Sequence, residues 1–157
     1  LLVGPIENER QEELLPQNIL DAIIKHPDII HIPWSDQVEY ILAISDILVH
    51  ASYREGFPNV PLQAAAMECP IICSNIPGNI DIVSNNKTGL WFEVGNQDSL
   101  AEKIEYALQN PSSMALYAER IRREVEEKYS REYIHQELLK FYHKKLENLS
   151  CEPALSS

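Results

Sequence analysis

Only five glycines punctuate the 157 residues (Gly4, Gly56, Gly78, Gly89 and Gly95), and they never approach the G-x-G-x-x-G spacing of a dinucleotide-binding turn. No Gly-Lys-Ser or Gly-Lys-Thr supplies a P-loop, so hydride transfer and kinase chemistry drop out. Cysteine is scarce as well. Cys69, Cys73 and Cys151 make an odd number, and a lone C-x3-C pair without second ligands is not a zinc site. Cys69 and Cys73 flank a proline and an apolar run, and read as small buried residues of a reducing compartment. The five histidines (His26, His31, His50, His135 and His143) lack metal spacing and read as structural or surface residues, so no metal is expected. No apolar run approaches the roughly 20 residues that span a bilayer, and no basic, apolar, small-residue leader is present. The expectation is a cytoplasmic chain. Positive charge is short too: 13 Lys and Arg against 24 Asp and Glu leave a formal charge of -11, which repels nucleic-acid phosphates. No face combines clustered basic residues with stacking aromatics, so no nucleic-acid partner is expected.

What is present suits one globular core. The apolar share of 45% and charged share of 24% are ordinary for globular domains, and no repeat or low-complexity segment interrupts them. Most of the acid excess lies in the first seventy residues, among them Glu7, Glu9, Glu12, Glu13, Asp21, Asp28, Asp36 and Glu39, and reads as solvated surface. The chain opens Leu1-Leu2-Val3-Gly4 in place of Met, from which we expect a strand entered in mid-protein with something upstream removed.

Leu1 to Val3 reads as a short strand entering an acidic loop, and Pro16 sits where the first turn of a helix tolerates proline. Ile19, Leu20, Ile23 and Ile24 give that helix an apolar face. Asp28 to Ile32 reads as a second strand, and Ser35 with Asp36 caps a helix carrying Val38, Ile41 and Leu42. Asp46 to His50 is a nearly all-apolar third strand. A helix over Pro58 to Glu68, strands over Pro70 to Ser74 and Gly89 to Phe92, and a turn at Asn85 to Thr88 follow. Three helices close the chain, marked by Leu100, Ile104 and Leu108, by Met114, Ala118, Ile121 and Val125, and by Ile134, Leu138, Phe141 and Leu149. Apolar strands without alternation, separated by helix-length segments, predict a doubly wound α/β fold with a mostly parallel sheet and helices on both faces. The predicted layout is a single Rossmann-like domain over 1–150, its last helix over 130–149, and a disordered tail over 151–157. Ligands in such sheets bind beyond the carboxyl ends of the strands, which directs attention to the loops after Ile32, His50 and Ser74.

After the third strand the chain reads Ser52-Tyr53-Arg54-Glu55-Gly56-Phe57-Pro58-Asn59-Val60-Pro61-Leu62-Gln63. A carboxylate and a glycine thus stand in a loop that opens into a helix. Gly56 lets backbone approach a ligand, and the first free amides of the helix, with their dipole, suit phosphate. Spacing alone leaves an ordinary strand-to-helix turn equally open.

The wording of this segment resembles the Glu, seven residues, Glu motif of glycosyltransferase family 4, in the branch that writes Ser-Tyr-Arg-Glu-Gly before it and makes bacterial surface polysaccharides such as capsule and lipopolysaccharide. Gly4, Ser45 to Val49, Pro70-Ile71-Ile72, Pro77-Gly78, Asp81-Ile82-Val83, Thr88-Gly89-Leu90 and Leu100-Ala101 fall in the family's order and spacing. The resemblance covers nearly the whole chain. It implies the C-terminal, donor-binding half of a retaining GT-B enzyme, lacking its first strand-helix unit, which moves a hexosyl or N-acetylhexosaminyl group from a nucleoside diphosphate sugar to an acceptor hydroxyl. No cofactor and no obligatory metal are implied. The donor expected from the branch is UDP-linked. The acceptor, a glycan or lipid-linked sugar, would be bound by the opposing N-terminal domain, and this segment alone would be inactive.

By the same resemblance Glu55 is the catalytic candidate, beside the reacting carbon of the donor sugar. Gly56, Phe57, Asn59 and Val60 match the stretch whose backbone meets sugar and diphosphate. Gln63 stands where the family has a second glutamate on the ribose hydroxyls; a glutamine there loses the charge assistance that roughly doubles such a bond. Pro33 and Trp34 resemble the base-binding edge, with packing of Trp34 on the sheet as the alternative. Arg54 could face donor or pair with an acid. The family's diphosphate-neutralising Arg and Lys belong to the absent unit. The alternatives are a non-catalytic nucleotide-sugar-binding domain, favoured by Gln63 and testable by Gln63→Glu, and a sugar-nucleotide epimerase. Lys140, Lys144 and Lys145 near the last helix's end read as a solvated face, with a contact to the opposing domain or peripheral contact at the inner face of a membrane as alternatives.

Overall fold

The computed structural model describes residues 1–6 and 15–150. The acidic run from Glu7 to Glu13, the side chain of Leu149 and the tail over 151–157 therefore lie outside the described residues. The chain divides into two compact units, Leu1–Tyr40 and Ile41–Ser157.

In the first unit β1 (Leu2–Val3) pairs in parallel with β2 (His31–Ile32), and α1 (Gln17–Lys25) runs between them in sequence. Pro16 occupies the N-cap of α1, where its missing N–H costs nothing. The strand expected from Asp28 is confined to its last two residues, because only His31 and Ile32 find ladder partners in Leu2 and Val3. The His31 Nε2 lies 2.8 Å from the Gly4 carbonyl, an acceptor only, so this nitrogen carries the hydrogen and tethers the loop after β1. The short helix α2 (Val38–Ala43) follows. Ser35 Oγ accepts from the Gln37 amide at 3.0 Å, a side-chain turn just ahead of α2 rather than the helix cap expected of it.

The second unit holds a three-stranded parallel sheet in the order β3 (Leu48–His50), β4 (Ile71–Ser74), β5 (Leu90–Phe92). The register pairs Leu48 with Ile71 and His50 with Cys73 on one side, and Ile72 with Leu90 and Ser74 with Phe92 on the other. Helices α3 (Asn59–Ala66), α4 (Asn79–Ile82), α5 (Gln97–Gln109), α6 (Pro111–Tyr129) and α7 (Arg131–Ser150) complete it. All four residues of β4 are buried, as a central parallel strand requires. Its Ile72 joins Leu90, Phe92, Ala107, Met114 and Tyr117 in a cluster onto which Ile47, Leu100 and Ile104 pack. The larger of these side chains, such as Ile72, Leu90, Phe92 and Met114, each contribute roughly 1.5–3 kcal/mol by leaving water. Cys69 and Cys73 are buried free thiols, and burial pushes Cys73 up to about 12. Asn96 caps α5, accepting from the Ser99 amide at 3.0 Å, and Pro111 opens α6 where proline is tolerated. The fold class is α/β with parallel strands and flanking helices.

Sequence reasoning missed α4. Its four residues are too few for periodicity, and its N-cap is Gly78 at φ 87°. A Cβ there would lie 2.8 Å from the Gly56 carbonyl oxygen and 3.0 Å from that of Glu55, so only glycine lets the β4–α4 turn approach the β3–α3 loop.

Candidate functional site

The carboxyl ends of β3, β4 and β5 present their loops side by side, because parallel pairing in register leaves all three ending at one edge. Here the sheet places His50, Ser52 and Ser74. Pro58 caps α3 without a side-chain hydrogen bond, and Pro61 at the third helical position has no N–H. The amides offered by the first three positions of α3 are therefore those of Asn59 and Val60, whose side chains are exposed.

Glu55 lies at the mouth of α3 with its side chain 31% exposed and is oriented by two neighbours. The Ser52 hydroxyl donates to Glu55 Oε1 at 2.8 Å, and His50 Nε2 lies 3.4 Å from the same oxygen. Burial holds His50 below the ordinary histidine pKa, and the Glu55 carboxylate pulls it the other way. Ser52 is itself anchored: its amide donates to Ser74 Oγ at 3.2 Å, and Ser74 Oγ–H donates to the Ser52 carbonyl at 2.6 Å.

Gly56 needs no glycine for the sake of the fold. No atom lies within 4 Å of a Cβ built on it, and its φ is outside the left-handed region. A free approach to this backbone is thus kept toward the outside of the chain. The Phe57 ring meets that of Tyr129, the last residue of α6, in a tilted contact with centroids 5.4 Å apart, so its side chain is engaged within the chain. Gln63 is exposed one turn inside α3, and Arg54 is exposed. A pocket of about 300 Å³ opens beside this loop, lined among others by Ser52, Tyr53, Ser74, Phe92 and Gly95.

The structure brings Glu55, Gly56, Phe57, Asn59, Val60 and Gln63 together on one loop and helix of the second unit. Pro33 and Trp34 belong to the first unit, on the loop after β2. Trp34 is 74% exposed, and its indole N–H donates to Asp36 Oδ1 at 3.0 Å, so its ring is not packed on the sheet as the alternative reading had it. Ser52, His50, Ser74, Gly78 and Asn79 were not singled out from sequence as parts of this cluster. Among the described residues no three His, Cys, Asp or Glu side chains converge to hold a metal, and no helix is long and apolar enough to cross a membrane.

The solved structure of HepE from Anabaena in complex with UDP shares this fold. The two superpose with a TM-score of 0.83 over 91% of this chain and 40% of that one, at 17% identity. The family described as glycosyl transferases group 1 matches residues 2–127, and the chain belongs to it. It is 33% identical over 147 residues to the capsular polysaccharide biosynthesis glycosyltransferase CapM of Staphylococcus aureus, covering 90% of this chain and 37% of that protein. It is also 34% identical over 115 residues to the N,N'-diacetylbacillosaminyl-diphospho-undecaprenol alpha-1,3-N-acetylgalactosaminyltransferase of Campylobacter jejuni, covering 73% of this chain and 30% of that one. The chain thus spans about a third of the length of these relatives.

Proposed function

We propose that the complete protein transfers a sugar from a UDP-linked donor to an acceptor hydroxyl, with retention at the anomeric carbon, in the building of a bacterial surface glycan. The observation that carries this reading is the half-exposed Glu55 carboxylate held at the front of α3 beside a glycine that the fold itself does not need. The reaction demands that a departing diphosphate and a positively charged, oxocarbenium-like sugar be stabilised together. The amides of Asn59 and Val60 at the positive end of α3 serve the first need, and the Glu55 carboxylate the second. Gly56 and the Phe57 backbone line the approach, and Gln63 takes the ribose hydroxyls. No step calls for a metal. The UDP complex of HepE supports the donor class, and the relatives' names support sugar transfer. The acceptor, a glycan or lipid-linked sugar, is assigned to an N-terminal domain, with the reaction at the cytoplasmic face of a membrane.

Two measurements on the full-length protein test this. A thermal-shift panel of UDP, GDP, ADP and CMP should single out UDP, since a ligand that binds only the folded state raises its stability by RT ln(1 + [L]/Kd). Glu55→Ala should lower kcat far more than donor affinity, whereas equal losses would reduce Glu55 to a binding residue.

A further inference from the structure

Both contacts of Glu55 fall on one oxygen. Ser52 Oγ donates to Oε1 at 2.8 Å and His50 Nε2 stands 3.4 Å from it, while the same His50 nitrogen is 3.3 Å from Ser52 Oγ. Proton inventory sorts out the triangle. Ser52 has a single hydroxyl proton and a carboxylate only accepts, so with that proton on the Glu55 bond the His50 Nε2 must carry its own hydrogen. Both hydrogens then converge on Glu55 Oε1 and its bound hydroxyl.

The triangle is tied to the core. Ser74 Oγ gives its proton to the Ser52 carbonyl at 2.6 Å and receives the Ser52 amide at 3.2 Å and Asn79 Nδ2 at 3.1 Å, which uses its full hydrogen-bonding capacity. Asn79 is fully buried and its Nδ2 also donates to the Ser74 carbonyl at 3.0 Å, which fixes which way the amide faces. Gly78 runs close to the same loop: a Cβ there would lie 2.8 Å from the Gly56 carbonyl oxygen and 3.0 Å from that of Glu55. A side chain on a loop is here held by β3, β4 and the start of α4.

We propose that His50 and Ser52 are positioning residues for Glu55, fixing Oε1 so that Oε2 is presented to the donor sugar. This rests on the reading of Glu55 as the carboxylate beside the reacting carbon. A carboxylate held by the Ser52 hydroxyl, which is itself backed by His50, keeps its place without reorganising as charge develops, which is where fixed dipoles outperform water. Protonation of His50 would convert a neutral donor into a cation against Glu55 and offset the negative charge the sugar requires. The titratable neighbours are few. Glu55 faces His50 from its own loop; Cys73, its register partner on β4, is held neutral by a pKa pushed up to about 12; and α3, packed on β3, brings no titratable side chain.

The test combines spectroscopy with kinetics on the full-length protein. With histidine selectively labelled, the His50 titration followed by NMR should move to lower pH in Glu55→Gln, because the carboxylate that favours the imidazolium is gone. An unmoved His50 titration overturns the proposal. With UDP-glucose and UDP-N-acetylglucosamine as probes and UDP release as the readout, His50→Gln and Ser52→Ala should each lower kcat about tenfold with KM within about twofold. His50→Gln should also shift the acid limb of the kcat profile. Wild-type kcat in both variants, alongside a collapse in Glu55→Gln, overturns the positioning role and leaves Glu55 its own. Full activity in Glu55→Gln removes the underlying reading instead.

Discussion

Ile72 and Ile24 are the same amino acid in one chain, and the first is 0% exposed while the second is 74% exposed. The contrast runs through their surroundings. No described residue of Leu1–Tyr40 is buried, and Leu1, Val3, Ile19, Ile30 and Trp34 all lie largely open. From Ile41 onward the chain closes a core around Ile71, Ile72, Leu90 and Ile121, each at most 1% exposed. The same α/β grammar, strand then helix then parallel strand, is written in both units, yet only the second buries what it writes. Secondary structure in the first unit rests on two-residue strands and on α1, whose apolar face is half open, so it buries less apolar surface than the second.

Hydrogen exchange should expose this difference most widely. Amides of β4 should exchange at least about a hundredfold more slowly than those of β2, and equal protection would break the comparison. Truncation is the next sharpest probe. Ile72→Ala should lower the unfolding free energy in urea by about 2–5 kcal/mol, and Ile24→Ala should stay within about 0.5 kcal/mol of the parent. Within the second unit two glycines separate fold from site. Gly78→Ala should destabilise by about 2 kcal/mol, because φ 87° and a carbonyl 2.8 Å away both oppose a Cβ. Gly56→Ala, with open space around it, should leave the urea midpoint unchanged and weaken UDP binding. The smallest effect is on acid. Burial lowers the His50 pKa from 6.5, so the folded chain binds fewer protons than the unfolded one. The associated stability is present above about pH 6.5 and is lost as pH falls through the folded value, and a stability-pH slope that His50→Gln does not flatten would contradict it.

Much of this was legible in the residues. Ile71-Ile72-Cys73-Ser74 is an apolar run without alternation and is a buried parallel strand, and Met114, Ala118, Ile121 and Val125 recur at helical spacing and all lie inside. Glu55 could be singled out as a candidate because a loop motif is local. Ser74 and Asn79 could not, since they reach Ser52 across the pairing of β3 with β4, and pairing between strands some twenty residues apart leaves no periodic mark. The strand from Asp28 came out short for the same reason: apolar side chains propose a strand, but only ladder partners grant its length.

The close approach at Gly78 has a consequence for any attempt to repair it. Where two side chains clash, a compensating change in one of them restores the fit. Here the obstacle is the backbone carbonyls of Glu55 and Gly56 themselves, which every amino acid brings unchanged. No second-site suppressor at positions 55 or 56 should rescue an alanine at 78, and a selection for recovered function should return only the original glycine.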